Sequence, residues 1–143
     1  VNEHVKELCA HPAYGKFILT AGPQRSDRMP AFLSLADLIA LPLQDTLLAR
    51  SQVPCKVFEA MAMARPIIAS AVSDLPLILK DCGWVVPPGD AGALAHAMRE
   101  ILDDPARARA RGEAARRRCL EHYSQDVAQR LLLELMESLH AGC

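Results

Sequence analysis

Residues 51–70 have the sequence SQVPCKVFEAMAMARPIIAS, in which a helical pattern is followed directly by a strand pattern. Apolar residues recur at helical spacing at the start of this stretch, which predicts a helix over residues 51–64. Residues 66–70 are apolar almost throughout, and proline is tolerated at the first position of a strand. A helix that leads straight into a buried strand is typical of α/β proteins.

The rest of the chain extends this pattern in both directions. Further apolar runs predict strands over residues 16–22, 37–42 and 83–87. None of them alternates with polar residues, which indicates strands buried on both faces of a parallel sheet. We therefore expect an α/β fold, an open, doubly wound, Rossmann-like parallel sheet flanked by helices, with ligands at the carboxyl ends of its strands.

Helices are expected over residues 2–10, 30–35 and 74–80 and throughout the region after residue 90. Asp90, Asp104 and Ser124 are candidate N-caps for three extra C-terminal helices, and Pro105 suits a first helical position. The last helix has apolar residues at helical spacing and is expected to pack through them. These residues are Val127, Leu131, Leu132, Leu135, Met136 and Leu139.

Composition limits the classes of function. A chain of 143 residues suits one domain, and a net charge of −1 gives no basic field for nucleic acid. Five scattered cysteines favour a reducing, cytoplasmic compartment over a disulfide framework, and no histidine shows metal-ligand spacing. The Arg-rich residues 105–118 leave two interpretations open, a solvated helix face or a peripheral contact with an anionic membrane surface.

The start of the predicted helix at residue 51 has the chemistry of an anion site. Ser51 is a plausible N-cap, Pro54 fits a first turn, and free amides there would favour an anion. Lys56 adds a positive charge, and Glu59 can accept hydrogen bonds from two neighbouring ribose hydroxyls. These groups suit a nucleoside diphosphate sugar, although on spacing alone Lys56 and Glu59 also fit an ordinary exposed ion pair.

Four stretches, which occur in the family's order along the chain, resemble the retaining GT-B glycosyltransferases of group 1. In chain order they are residues 36–42, the run Lys56-x-x-Glu59-Ala60-Met61-Ala62-x-x-x-Pro66-Ile67-Ile68-Ala69-Ser70, residues 83–90 and His122-Tyr123-Ser124. The resemblance covers residues 16–140 and implies that residues 1–143 are a single C-terminal donor-binding domain, half of a GT-B fold. It also implies that the first strand and the acceptor-binding domain are absent from this sequence. We therefore expect the chain alone to be inactive.

The resemblance assigns Glu59 to the donor ribose. The first of the family's two glutamates falls on Ser51, but Arg50-Ser51-x-x-Pro54-x-Lys56-x-x-Glu59 is similar to the pattern of one family branch. Arg50, Ser51 and Lys56 are thus the candidates for the diphosphate, with the choice between Arg50 and Lys56 open.

The base and sugar are assigned to other loops. Gly22, Arg28 and Met29 are expected near the base. The family's Gly-Gly-x-Pro-Glu loop corresponds here to residues 73–77, where only Pro76 matches. Asp74 in this loop either reaches a sugar hydroxyl or caps a helix.

The implied activity is the transfer of a hexose-type sugar from a nucleotide diphosphate donor to a glycan or lipid-linked acceptor. The resemblance implies no metal and no other cofactor. The expected partners are the donor, the acceptor and the missing N-terminal domain, in the cytoplasm or at the periphery of its membrane. A non-catalytic nucleotide-binding or scaffolding module of GT-B fold, and a sugar-phosphate epimerase that shares this fold, are the alternatives.

Overall fold

A computed structural model describes residues 3–141 and shows a three-stranded parallel sheet flanked by helices. The strands are β1 (Ile39–Leu41), β2 (Ile67–Ser70) and β3 (Trp84–Val86), in the order β1-β2-β3. β2 is central and every one of its residues is buried, as its unbroken apolar sequence predicts. The predicted open parallel sheet is confirmed.

Helices surround this sheet. In chain order they are α1 (Glu3–Ala10), α2 (Met29–Ser34), α3 (Leu47–Arg50), α4 (Lys56–Ala62), α5 (Leu75–Ile78), α6 (Ala91–Asp103), α7 (Pro105–His122) and α8 (Gln125–Ala141), with single-turn 3₁₀ helices at Gly15–Phe17 and Ser26–Arg28. Residue 2, where the first helix was predicted to begin, lies outside the described residues.

Alternate residues of β2 face two separate cores. Ile67 and Ala69 pack with residues of α4, α5 and α7, whereas Ile68 packs with Trp84 and residues of α6 and α7. Each face of the sheet is therefore covered by helix, and α7 contributes to both cores. This arrangement explains why β2 carries apolar side chains at consecutive positions.

The predicted caps of the three C-terminal helices are confirmed. Asp90 Oδ1 accepts the amide of Ala93 at 2.9 Å, and Asp104 Oδ1 accepts that of Arg107 at 2.9 Å. Ser124 Oγ accepts the amide of Val127 at 3.3 Å. Each bond satisfies an amide that has no acceptor within its own helix.

The strand predicted over residues 16–22 is wrong. Gly15–Phe17 form a 3₁₀ turn, and residues 18–22 do not join the ladder described within residues 3–141. Phe17 is 78% exposed and Leu19 is 94% exposed, so this segment is not buried either. The apolar run suits a strand, but a strand also needs a partner for its backbone groups, and here β1 pairs only with β2.

The single helix predicted over residues 51–64 is also wrong. Thr46 caps the short α3, and Ser51 follows its C-terminal end, with its amide donating to the carbonyls of Leu47 and Leu48. α4 begins only at Lys56, after a turn, and its N-cap Cys55 makes no side-chain hydrogen bond. Ser51 therefore closes one helix instead of opening the next, because Thr46 provides an earlier cap.

α8 has the predicted amphipathic pattern but not the predicted packing. Its leucines and Met136 are about half exposed, between 49% and 64%. An amphipathic pattern marks a face that is suited to burial and does not identify what covers it. Among the described residues no helix is long and apolar enough to cross a bilayer.

The Arg-rich helix α7 is not simply a solvated face. Arg111 donates to the Gly83 carbonyl at 2.8 Å and stacks 4.4 Å over the Trp84 ring. Arg116 and Arg118 donate to the carbonyls of Ala62 (2.6 Å) and Leu77 (3.1 Å). These guanidinium groups stabilise carbonyls at the ends of other segments. The solvated-face interpretation is therefore incomplete for these three arginines, of which Arg116 is exposed but hydrogen-bonded.

Candidate functional site

The carboxyl ends of the three parallel strands meet at one edge of the sheet, and two neighbouring cavities open there. The first, of about 150 Å³, is lined by the last residue of β2, Ser70, and by the residues that follow β1 and β3, Pro42 and Pro87. The second, of about 220 Å³, is lined by residues of the turns around α3, including Thr46, Gln52 and Pro54. Gln44 lines both cavities and connects them. The edge is where an open α/β sheet is expected to bind its ligand.

Lys56 and Glu59 lie in the first turn of α4, which begins two residues after Pro54, a lining residue of the second cavity; neither side chain lines that cavity or the first. Lys56 is exposed and Glu59 is half-buried. Among residues 3–141, neither the Lys56 ammonium nor the Glu59 carboxylate has a hydrogen-bond or ion-pair partner. The interpretation of the two as an exposed ion pair is therefore wrong, and both groups are available to a ligand.

The first-turn amides of α4 are not free in the way the sequence suggested. Val57 donates to the Pro54 carbonyl at 3.0 Å, and Phe58 and Glu59 donate to the Cys55 carbonyl at 3.0 and 3.2 Å. These bonds exist because the turn over residues 54–55 already has the carbonyls in helical position. Charge attraction at this point consequently depends on the Lys56 side chain more than on the helix end.

Arg50 is held away from this role by a neighbour. Its Nε and Nη2 donate to the two carboxylate oxygens of Asp45, at 2.6 and 2.8 Å. The hydrogen bond from Arg50 holds the pKa of Asp45 below its ordinary value, and Asp45 in turn raises the pKa of Arg50. Ser51, the third diphosphate candidate, donates its hydroxyl to the Leu48 carbonyl at 2.9 Å. Lys56 is the candidate whose charged group is unoccupied.

The base and sugar candidates lie on other elements. Gly22 has φ of +65°, a backbone conformation that favours glycine. Arg28 ends a 3₁₀ turn, and Met29 begins α2, which packs against α4. Asp74 precedes α5 and is exposed, and its side chain makes no capping hydrogen bond. Asp74 therefore occupies the N-cap position of α5, as the helix-cap interpretation expected, but its carboxylate makes no capping hydrogen bond.

Two site residues were missed from the sequence. Gln44 lines both cavities, and Asp45 fixes Arg50. Both follow a strand that ends at Leu41, so their position just beyond a carboxyl end was the signal that could have found them. Within the described part of the chain, no group of three metal-ligating side chains lies close enough to hold an ion.

The comparisons with known proteins agree with the fold. Residues 2–104 match the family model of Glycosyl transferases group 1. The chain belongs to the group 1 glycosyltransferases. It is similar to a sucrose-phosphate synthase from Thermosynechococcus elongatus, a solved structure, with a TM-score of 0.81 and 29% identity, over 98% of this chain and 34% of that one. The resemblance and the half-domain fold that were expected from the sequence are confirmed.

Two curated relatives show the same relationship. The amylovoran biosynthesis glycosyltransferase AmsK of Erwinia amylovora is 29% identical over 82% of this chain and 30% of its own length. The MMP alpha-(1->4)-mannosyltransferase of Mycolicibacterium hassiacum is 29% identical over 89% of this chain and 31% of its own length. The chain thus spans about a third of the relatives it matches.

Proposed function

We propose that this chain is the donor-binding half of a glycosyltransferase and that it binds a nucleotide diphosphate sugar at the carboxyl edge of its sheet. The observation that carries the proposal is the unpartnered pair of Lys56 and Glu59 in the first turn of α4. A free ammonium and a free carboxylate one turn apart suit a ligand that carries both phosphate and a pair of hydroxyls.

Each side chain then has a distinct task. Lys56 binds the diphosphate and stabilises the negative charge that develops on it as the sugar leaves. Glu59 accepts hydrogen bonds from the ribose hydroxyls and contributes by fixing the donor's position. Ser51 lies beside the diphosphate, and Gly22, Arg28 and Met29 lie towards the base. The Asp74 carboxylate is exposed and caps no helix amide, so it is available to a sugar hydroxyl.

We assign the acceptor-binding site to another domain. Residues 1–143 form the C-terminal donor domain, and the acceptor domain corresponds to the part of the relatives that this chain does not span. The acceptor is a glycan or a lipid-linked saccharide, and the transferred sugar is of hexose type. The names of the two curated relatives, which refer to a polysaccharide and to mannose transfer, support this class. We place the reaction in the cytoplasm or at the periphery of its membrane.

The experiment is a ligand-observed NMR titration of this chain with UDP, GDP and ADP. We expect one nucleotide to bind and Glu59→Ala to remove the binding, whereas Glu113→Ala, which changes an exposed glutamate of α7, leaves it intact. Equal binding by the two variants would show that Glu59 has no role. If no nucleotide binds even at millimolar concentration, the titration is repeated with a chain extended upstream. If that longer chain does not bind a nucleotide either, the proposal is overturned.

A nucleotide-binding module without transfer activity is the second candidate. Ser51 stands where the family's first glutamate is expected, and its hydroxyl is already bonded to the Leu48 carbonyl. An assay of donor hydrolysis and transfer by the complete protein separates the two, since a non-catalytic module binds the nucleotide but turns over no donor.

A further inference from the structure

A third cavity, of about 230 Å³, lies at the opposite edge of the sheet from Lys56 and Glu59. It is lined by Asp37, which precedes β1, by Ala64, Arg65 and Pro66, which precede β2, and by residues of α6 and α7 that include Arg109. In a parallel sheet the segments that precede the strands share the amino-terminal edge. The cavity therefore has no residue in common with the proposed donor site.

The charges around this cavity are not compensated within the described protein. Arg65, Arg109 and Asp37 all line it, yet none has an ion-pair partner among residues 3–141. Arg65 donates through Nη1 to the Ala36 carbonyl at 3.3 Å, which fixes the guanidinium against the chain before β1. Two cations and one carboxylate leave a net positive charge at a concave surface.

Three buried side-chain nitrogens of the described residues lack a hydrogen-bond acceptor, and they are Arg65 Nε, Trp84 Nε1 and Arg118 Nε. Because Arg65 Nε has almost no accessible surface, a ligand in the cavity would meet the outer nitrogens of this guanidinium group. The remaining walls include Ile101, Leu102 and Pro66, which give the cavity an apolar side next to its charged groups.

We propose that this cavity binds a phosphate monoester of a small polyhydroxyl compound. Arg65 and Arg109 bind the phosphate oxygens, since guanidinium groups match phosphate geometry. Asp37 repels a bare anion but accepts a hydrogen bond from a hydroxyl, so it selects an ester with hydroxyl groups over inorganic phosphate. This site does not depend on the proposed function, because it uses none of the donor-site residues.

The test uses ¹⁵N-labelled chain titrated with glycerol 3-phosphate and, separately, with inorganic phosphate. We expect saturable shifts of the backbone amides of residues 36–38, 64–65 and 106–109, with tighter binding of the ester. Arg109→Ala should weaken this binding roughly tenfold. Arg117→Ala, which removes an exposed arginine of the same helix outside the cavity, should change it less than twofold. Arg109 has no side-chain hydrogen bond, ion pair or ring contact with another described residue that its loss would break.

Two further variants examine the separate tasks. Arg65→Lys keeps the charge but removes the planar guanidinium fork, and should weaken the binding of the ester and of inorganic phosphate alike. The spectrum itself reports whether the fold is kept. Asp37→Asn should reduce the preference for the ester over inorganic phosphate. Three results would each overturn the proposal. The first is an equal loss of ester affinity in Arg109→Ala and Arg117→Ala, and the second is a set of shifts confined to residues 51–59. The third is a titration that does not saturate at 10 mM, about the weakest affinity that we count as a site.

Discussion

Gly112 of α7 lies directly against the carbonyl oxygen of Ala64, so closely that a methyl group at position 112 would overlap it. The absence of a side chain there lets α7 approach the turn that joins α4 to β2. Because the obstacle is backbone, a larger residue cannot be accommodated by a change of rotamer. The contact thus positions the longest helix against the segment that leads into the central strand.

We expect Gly112→Ala to lower the free energy of unfolding by about 1–3 kcal/mol, the usual cost of overpacking. Urea denaturation measures it. Gly92→Ala in α6 is the matched control, because its methyl would meet only the Asp90 side chain. That substitution should change the free energy of unfolding by less than about 1 kcal/mol, because the helix preference of alanine opposes the close approach of its methyl group to the capping oxygen of Asp90. Equal destabilisation by both would mean that the contact with Ala64 carries no special cost.

Ala64 has φ of +53°, a left-handed conformation that is unfavourable for a residue with a side chain. Ala64→Gly should therefore raise the free energy of unfolding by up to about 1 kcal/mol. Ala62→Gly, two residues earlier in α4, should lower it by about the same amount. Thermal or urea unfolding of the pair tests the opposite signs, and destabilisation by both would contradict the idea that position 64 is strained.

Lys56 and Arg50 are expected to differ in their effect on nucleotide affinity. Lys56→Ala should weaken nucleoside diphosphate binding about tenfold, since it removes a charge-assisted contact. Arg50→Ala should weaken it less than threefold, because Asp45 already binds that guanidinium through both oxygens. Calorimetric titration of both variants measures the difference. A larger loss for Arg50→Ala would assign the diphosphate to Arg50 and show that Asp45 releases it on binding.

Arg111 is expected to contribute to stability through the Trp84 ring and the Gly83 carbonyl. Arg111→Ala should lower the free energy of unfolding by about 1–2 kcal/mol, the combined scale of a cation–π contact and a charged hydrogen bond. It should also change the Trp84 fluorescence, which reports on this ring alone because the chain has 1 tryptophan. Arg117→Ala removes the same charge from an exposed position and should alter neither quantity.

The thiols should differ in reactivity. Burial raises the pKa of Cys82 and of Cys119, against the opposing effect of nearby arginines, whereas Cys55 is exposed beside Lys56. At pH 8 a thiol reagent should modify Cys55 before Cys82 and Cys119, and should reach these two buried thiols only on unfolding. A bound nucleotide should slow the modification of Cys55. Rapid labelling of Cys82 in folded protein would contradict the burial that the structure shows.

The same two thiols give a pH dependence. Their folded pKa values lie above the unfolded ones, so their contribution to stability is complete at lower pH and declines as pH rises above roughly 8.5. Replacing both with alanine should flatten the decline. Urea midpoints between pH 7 and 10 measure it, and an unchanged slope in the double variant would assign the decline to other groups.

Local chemistry made part of this structure predictable. Unbroken apolar runs identified β1, β2 and β3, and an Asp or Ser before a helical pattern identified the caps of α6, α7 and α8. The strand prediction for residues 16–22 failed because a strand needs a second segment with which to pair its backbone hydrogen bonds. The boundary at Ser51 failed because Thr46, five residues earlier, competes for the role of cap.

The candidate site was predictable in identity but not in arrangement. Lys56 and Glu59 could be named because their residue types match the ligand. The pairing of Arg50 with Asp45 and the two cavities that Gln44 lines involve the segment over residues 42–50, which follows β1 and whose conformation no periodic pattern encodes. The exposure of the α8 leucines depends on which other segments pack against α8, and composition alone does not describe this.

The arginines of α7 bind carbonyls on three otherwise separate segments: the last residue of α4, a residue of α5 and the residue before β3. Because all three segments are hydrogen-bonded to α7, the opening of one segment that displaces α7 also strains the hydrogen bonds of the other two. We therefore expect these three segments to exchange their amide hydrogens with water as one cooperative unit, and to lose that shared protection together when α7 is loosened.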